Sequence, residues 1–168
     1  RAQSATGARL DDLGAVPRLA SILGADLAQA VDRPARDERG TLLPALLCPG
    51  FALRLVRGGW GNIDDAPRAS LQKVEYRLGE EAIERIGYPM LDGAEPYPPG
   101  AMLDGVRAIK LRYRFQGAWS DHWDGTQGAP LPAVVELTIT RRDGTTLREM
   151  FLVGTGYAPL GTGRNNVL

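Results

Sequence analysis

Apolar residues recur in steps of three and four between Leu10 and Val31, at Leu13, Val16, Ala20, Leu23, Leu27 and Ala30. That is the period of an amphipathic helix. Leu19 and Ile22 lie beside the stripe and widen it, so the helix carries more apolar surface than one narrow seam needs, and two neighbours are implied. Arg33 precedes Pro34, which disfavours helical backbone at Arg33 and ends the element. Pro17 either kinks a helix that begins upstream or marks the first turn of a shorter one, where its missing N–H costs little.

After Gly40 the pattern shifts to that of strands. Phe51–Arg57 alternates apolar and polar residues over its second half. Ser70–Leu78 and Ala82–Tyr88 flank Gly79-Glu80-Glu81 and predict a hairpin. Val106–Phe115, Ala133–Thr140 and Thr146–Val153 read as further strands, the last two joined through Asp143-Gly144, a strong hairpin signal. The stretches 58–69, 89–105 and 117–132 exceed ordinary hairpin loops. The predicted fold class is α+β: an N-terminal helix over residues 1–33, packed on a largely antiparallel β domain over 34–153, with a flexible Gly-rich tail at 154–168.

Composition narrows the function. The chain has 168 residues, 20 Lys+Arg and 20 Asp+Glu, so no global field draws it to nucleic acid or anionic lipid. One cysteine, Cys48, excludes an internal disulfide, and 21 Gly with 12 Pro imply many turns. No apolar run approaches the roughly 18 residues that span a bilayer. The opening Arg1-Ala2-Gln3-Ser4 has neither an initiator Met nor a signal-type apolar region, so a truncated or processed chain is expected.

Candidate chemistry is sparse. Asp121-His122-Trp123-Asp124-Gly125 holds the single histidine beside two carboxylates but matches no zinc spacing and reads as a turn. Cys48 has an apolar approach and no neighbouring base, the setting of a buried small hydrophobe. Gly154-Thr155-Gly156 and Gly161-Thr162-Gly163 lack the Lys-Ser/Thr ending of a phosphate loop. Asp64-Asp65 and Glu80-Glu81 sit in turns, and Lys110, Arg112 and Arg114 share one strand face as solvated charge. No catalytic residue, cofactor or metal ligand is predicted, which leaves binding or assembly. One such reading is a carbohydrate- or peptide-binding β module that uses Trp60, Trp119 and Trp123 as an exposed aromatic platform.

Read in order, several segments resemble a known family. Asp26-Leu27-Ala28-Gln29 ending at Arg33, Arg57-Gly58-Gly59-Trp60-Gly61-Asn62 and Arg68–Leu78 occur in its order. Leu103-Asp104-Gly105-Val106, Arg112–Phe115, Trp119–Trp123 and Leu131–Leu137 follow. Over roughly residues 20 to 153 the chain resembles the J-type minor pseudopilins of the bacterial type II secretion system. That resemblance implies a pilin-like fold lacking its membrane-spanning half-helix, an inner-membrane anchor through that missing segment, and a periplasmic globular domain. It also implies assembly with the I and K minor pseudopilins into a tip complex that starts or caps the pseudopilus, with further pseudopilins packing along the helix. Leu13, Val16, Leu19, Ala20 and Leu23 are the expected partner contacts, and Trp60 and Tyr76 the expected structural anchors. A minor pilin of a type IV pilus would share the design but not the full series of motifs.

Overall fold

The computed structural model describes residues 2–50, 52–59 and 70–154, with side chains from residue 14 onward. Helix α1 runs Ala2–Ala28 with Pro17 inside it, so the helix begins upstream of the proline. It stops earlier than its apolar period suggests because the next residues pair with a strand. The Val31 N–H donates to the Val56 carbonyl at 3.0 Å, and the Gly58 N–H donates to that of Gln29 at 2.9 Å.

Two short strands, β1 (Ala35–Arg36) and β2 (Leu42–Leu43), pair around a turn. There the Asp37 carboxylate accepts from the N–H groups of Arg39 and Thr41. Then β3 (Leu46–Leu47), β4 (Ala52–Arg57), β5 (Gln72–Leu78), β6 (Ala82–Gly87) and β7 (Gly100–Asp104) form an antiparallel sheet in chain order. A second antiparallel sheet contains β8 (Val106–Phe115), β9 (Ala118–Ser120), β10 (Val134–Arg141) and β11 (Thr146–Leu152), ordered β11-β10-β8-β9. The predicted hairpins at Gly79–Glu81 and Asp143-Gly144 are both present. Strand β7 falls in a stretch that reads as loop, because prolines and glycines crowd its approach. Trp60, Asn62 and Asp64-Asp65 lie outside the described residues, as does the tail beyond Gly154.

Both sheets present their inner faces to α1. Leu53, Leu55, Val74, Tyr76 and Ile83 of one sheet and Ile109, Leu111, Tyr113, Val135, Leu137 and Ile139 of the other join Leu19, Leu23 and Leu27 in one core. The helix has two neighbours, as its wide stripe predicts, but both belong to its own chain. Gly24 permits close packing: a Cβ there would lie 3.4 Å from the Phe151 ring on β11.

The outer face of the first sheet is covered by the chain itself. Ala35, Val56, Ile86, Tyr88 and Ala94 are buried there, apart from the main core. Lys73 is buried among them, its ammonium 4.2 Å from the centre of the Tyr88 ring and 2.9 Å from the Arg36 carbonyl it bonds. Burial chiefly, then the nearby Arg54 charge, lowers its pKa. The hydrogen bond and the aromatic face replace part of the water that the ammonium loses.

Leu27 is fully buried where α1 meets both sheets. Leu27→Ala should cost about 2–5 kcal/mol, measured as a lowered urea midpoint with an unchanged slope; a loss below about 0.5 kcal/mol would mean the helix end is not part of the cooperative core.

Candidate functional site

The last turns of α1 carry an acid where the apolar period would place a hydrophobe. Asp26 is entirely buried, and a carboxylate there is disfavoured twice, by lost hydration and by the negative end of the helix dipole. Three elements compensate. Arg57 at the end of β4 pairs with Oδ1, Arg85 on β6 donates through Nε to Oδ2 at 2.8 Å, and the Tyr76 hydroxyl on β5 donates to Oδ2 at 2.5 Å. Tyr76 and Arg85 face each other across the β5–β6 ladder, so sheet register delivers both groups to one carboxylate. Burial first, and then the Asp26 charge, push the Tyr76 hydroxyl far above the usual tyrosine range. Burial opposes the Arg85 charge, yet Asp26 outweighs it and its pKa is raised.

Gln29 extends the latch. Its side-chain oxygen accepts from Arg57 at 2.8 Å, and Gly59 adopts a φ of +71° directly against it. A Cβ at Gly59 would meet Gln29 Oε1 at 1.9 Å, so only glycine allows this approach. The Asp-Leu-x-Gln motif and the Arg-Gly-Gly motif are therefore two halves of one contact, 28 residues apart between Gln29 and Arg57.

Of the residues expected to meet partners, Leu19 and Leu23 lie on the inner side of α1. Leu19 and Leu23 are each 2% exposed, within the domain core, so their availability to a partner is corrected: one apolar stripe cannot face its own sheets and another chain. Val16 and Ala20 are half-buried against the same core. The side chain of Leu13 lies outside those described. The exposed arc is instead Gly14, Pro17, Arg18, Ser21 and Ala25, mainly small side chains along the side opposite Leu19 and Leu23.

The aromatic platform is also corrected. Trp123 is 1% exposed, 5.9 Å from the Phe115 ring centre edge to face, and its indole N–H donates to the Pro130 carbonyl. Trp119 is half-buried, with the Arg112 guanidinium 4.8 Å from its ring centre. Cys48 is buried, and burial raises its thiol pKa. His122 is exposed on a loop near the Ser120 hydroxyl, and Asp124 caps a local turn through Thr126.

A long N-terminal helix laid across antiparallel sheets defines a pilin-like protein. A type IV-like pilin from Thermus thermophilus shares that fold, with a TM-score of 0.59 at 13% identity over 85% of this chain and 96% of the pilin. More specific evidence comes from the family model of type II secretion system protein J, which matches residues 1–153. The chain belongs to that family. The type II secretion system protein J of Klebsiella pneumoniae is 31% identical over 163 residues, 93% of this chain and 81% of the relative. A chain in the crystal structure of the GspK-GspI-GspJ complex from the enterotoxigenic Escherichia coli type 2 secretion system superposes with a TM-score of 0.73. It is 25% identical, over 84% of this chain and 97% of that one.

Two measurements check the latch. Asp26→Asn leaves Arg57 and Arg85 side by side without their counter-charge, and should destabilise the domain by about 3–5 kcal/mol in urea unfolding. A wild-type midpoint would show that the pairing contributes nothing. Tyr76, and Tyr88 with its pKa pushed up to about 12, stay protonated in the folded state while unfolded tyrosines ionise near pH 10. Folding stability from these groups is then complete below about pH 10 and declines as the pH rises toward 12. Urea midpoints across that range should fall, and a flat profile would contradict the assignment.

Proposed function

We propose that this domain is a structural minor pseudopilin that assembles beside I- and K-type pseudopilins at the tip of the type II secretion pseudopilus, which it helps to start or cap. The observation that carries the reading is the division of α1. One side is sealed into its own sheets, while the other is exposed and lined by Gly14, Pro17, Arg18, Ser21 and Ala25, mainly small side chains. Small side chains let a neighbouring helix approach closely, so contact is made by close packing rather than by large apolar knobs. The Asp26 latch fixes the direction in which that face points. Family membership, and the presence of K and I chains beside a J chain in the E. coli complex, support the same partners.

In this reading the N-terminal end of α1 leads toward the inner membrane, the sheets lie in the periplasm, and further pseudopilins stack along the helix. Among the described residues no helix is long and apolar enough to cross a membrane. The role involves no bond chemistry: association is driven by apolar contact and shape fit.

The test is the light-scattering mass of this domain mixed with the I and K domains of the same system. A stable 1:1:1 species is expected, and three independent monomers would overturn the proposal. Ser21→Arg and Ala25→Arg, at exposed positions, should each change folding stability by no more than about 0.5 kcal/mol yet weaken assembly by roughly tenfold or more, about 1.4 kcal/mol. Leu19→Asp, in the core, should unfold the domain outright.

A further inference from the structure

Strand β8 pairs with β10 over most of its length but with β9 only at Tyr113–Phe115. The β8–β9 turn, with φ of 49° at Gln116 and 80° at Gly117, is a two-residue hairpin of the primed type. In such a hairpin the flanking Phe115 and Ala118 form a hydrogen-bonded pair. The alternation of an antiparallel ladder then points the backbone groups of Tyr113, Leu111 and Ile109 toward the same side, up to the β-bulge that breaks the period at Arg107. β9 occupies that side only at its turn end. No described strand pairs with Arg107–Leu111 there.

Beside this open edge lies a cavity of about 320 Å³ lined by Gly50, Ile109, Lys110, Leu111 and Asp121. The outer face of the sheet next to the edge is basic. Lys110, Arg112 and Arg114 alternate along β8, and Arg148 stands level with Lys110 on the far side of Thr138. Glu136 is buried and paired with Arg112 at 3.7 Å, whereas Lys110, Arg114 and Arg148 form no ion pair with a described residue. Among the described residues the sheet face beside this edge is thus basic, with Asp121 as the acid lining the cavity.

We infer that the open edge of β8 accepts an extended acidic segment of a partner protein as an added strand. The main chain of that segment pairs with Ile109 and Leu111, one side chain enters the cavity, and an outward carboxylate meets Lys110 as a cross-strand neighbour. A lysine on an open edge opposes pairing with a second copy, which would bring like charges together. The occupant is therefore a different, acidic chain. This surface is distinct from the exposed arc of α1 and does not depend on assembly through it.

The test uses the isotope-labelled 168-residue chain, titrated with a short end-blocked peptide that alternates glutamate and valine, and with the same peptide N-methylated at alternate residues. The first peptide should give saturable amide shifts at Ile109 and Leu111. N-methylation, which removes strand donors but keeps the charge, should weaken binding roughly tenfold or more, and Lys110→Glu, at an exposed position, should weaken the first peptide by a similar factor. Equal binding of both peptides would reduce the site to charge attraction and overturn the inference, as would shifts confined to other surfaces or no binding at millimolar peptide.

Discussion

A carboxylate with no water around it, placed at the end of a helix whose dipole repels it, governs how this molecule is put together. Asp26 is tolerated only because two guanidiniums and a phenol converge on it from three strands. Removing either the acid or its partners leaves an uncompensated buried charge, a far larger penalty than the pair's net contribution when intact. The latch therefore acts more as a geometric selector than as a source of stability. It admits one axial position and one rotation of α1 relative to the sheet, where an apolar stripe alone would permit slippage by a turn.

That selection decides which helix face is left outside. The stripe of Leu19, Leu23 and Leu27 is consumed by the two sheets, and the side opposite, mainly small residues with Arg18 among them, has no apolar stripe from which to form a core of its own. A domain built this way has a finished interior and an unfinished exterior along one line. The outer surface of its first sheet is also finished: the segments that carry Ala35 and Ala94 close over Val56, Ile86 and the stem of Lys73. The contrast between that covered surface and the bare helix arc is what gives the assembly reading its physical content.

Much of this architecture was legible in sequence order. Strand β8 is predicted at its observed limits, Val106–Phe115, because the alternation from Ile109 to Phe115 is a strong signal and an adjoining turn marks its end. β7 was not legible, since Gly100–Asp104 has little alternation and acquires its strand character by pairing with β6. The packing of α1 on the β domain was legible, but periodicity identifies an apolar stripe and not its neighbour, and a stripe wide enough for two neighbours is filled by two sheets of the same chain. Asp26 was visible as a motif residue, and the signal of its role was available: an acid between Leu23 and Leu27, on the apolar side of a helix, demands cations from elsewhere. Arg85, in the strand Ala82–Gly87, was that cation, but nothing local links it to a residue 59 positions away. Trp119 and Trp123 show the same limit, as composition counts rings without telling whether they face protein or solvent.

The backbone at the end of α1 has a mechanical consequence. The Gly154 N–H, just beyond the final strand, donates to the Leu27 carbonyl at 2.9 Å, and the Gly58 N–H donates to the Gln29 carbonyl at the same distance. The helix terminus is thereby fastened to both sheets within a few residues, with the Asp26 ion pairs alongside. A pull along the helix axis meets these bonds together, in shear, instead of peeling them one at a time from an edge. A rod loaded from its N-terminal end would transmit that force to the whole β domain as one rigid body.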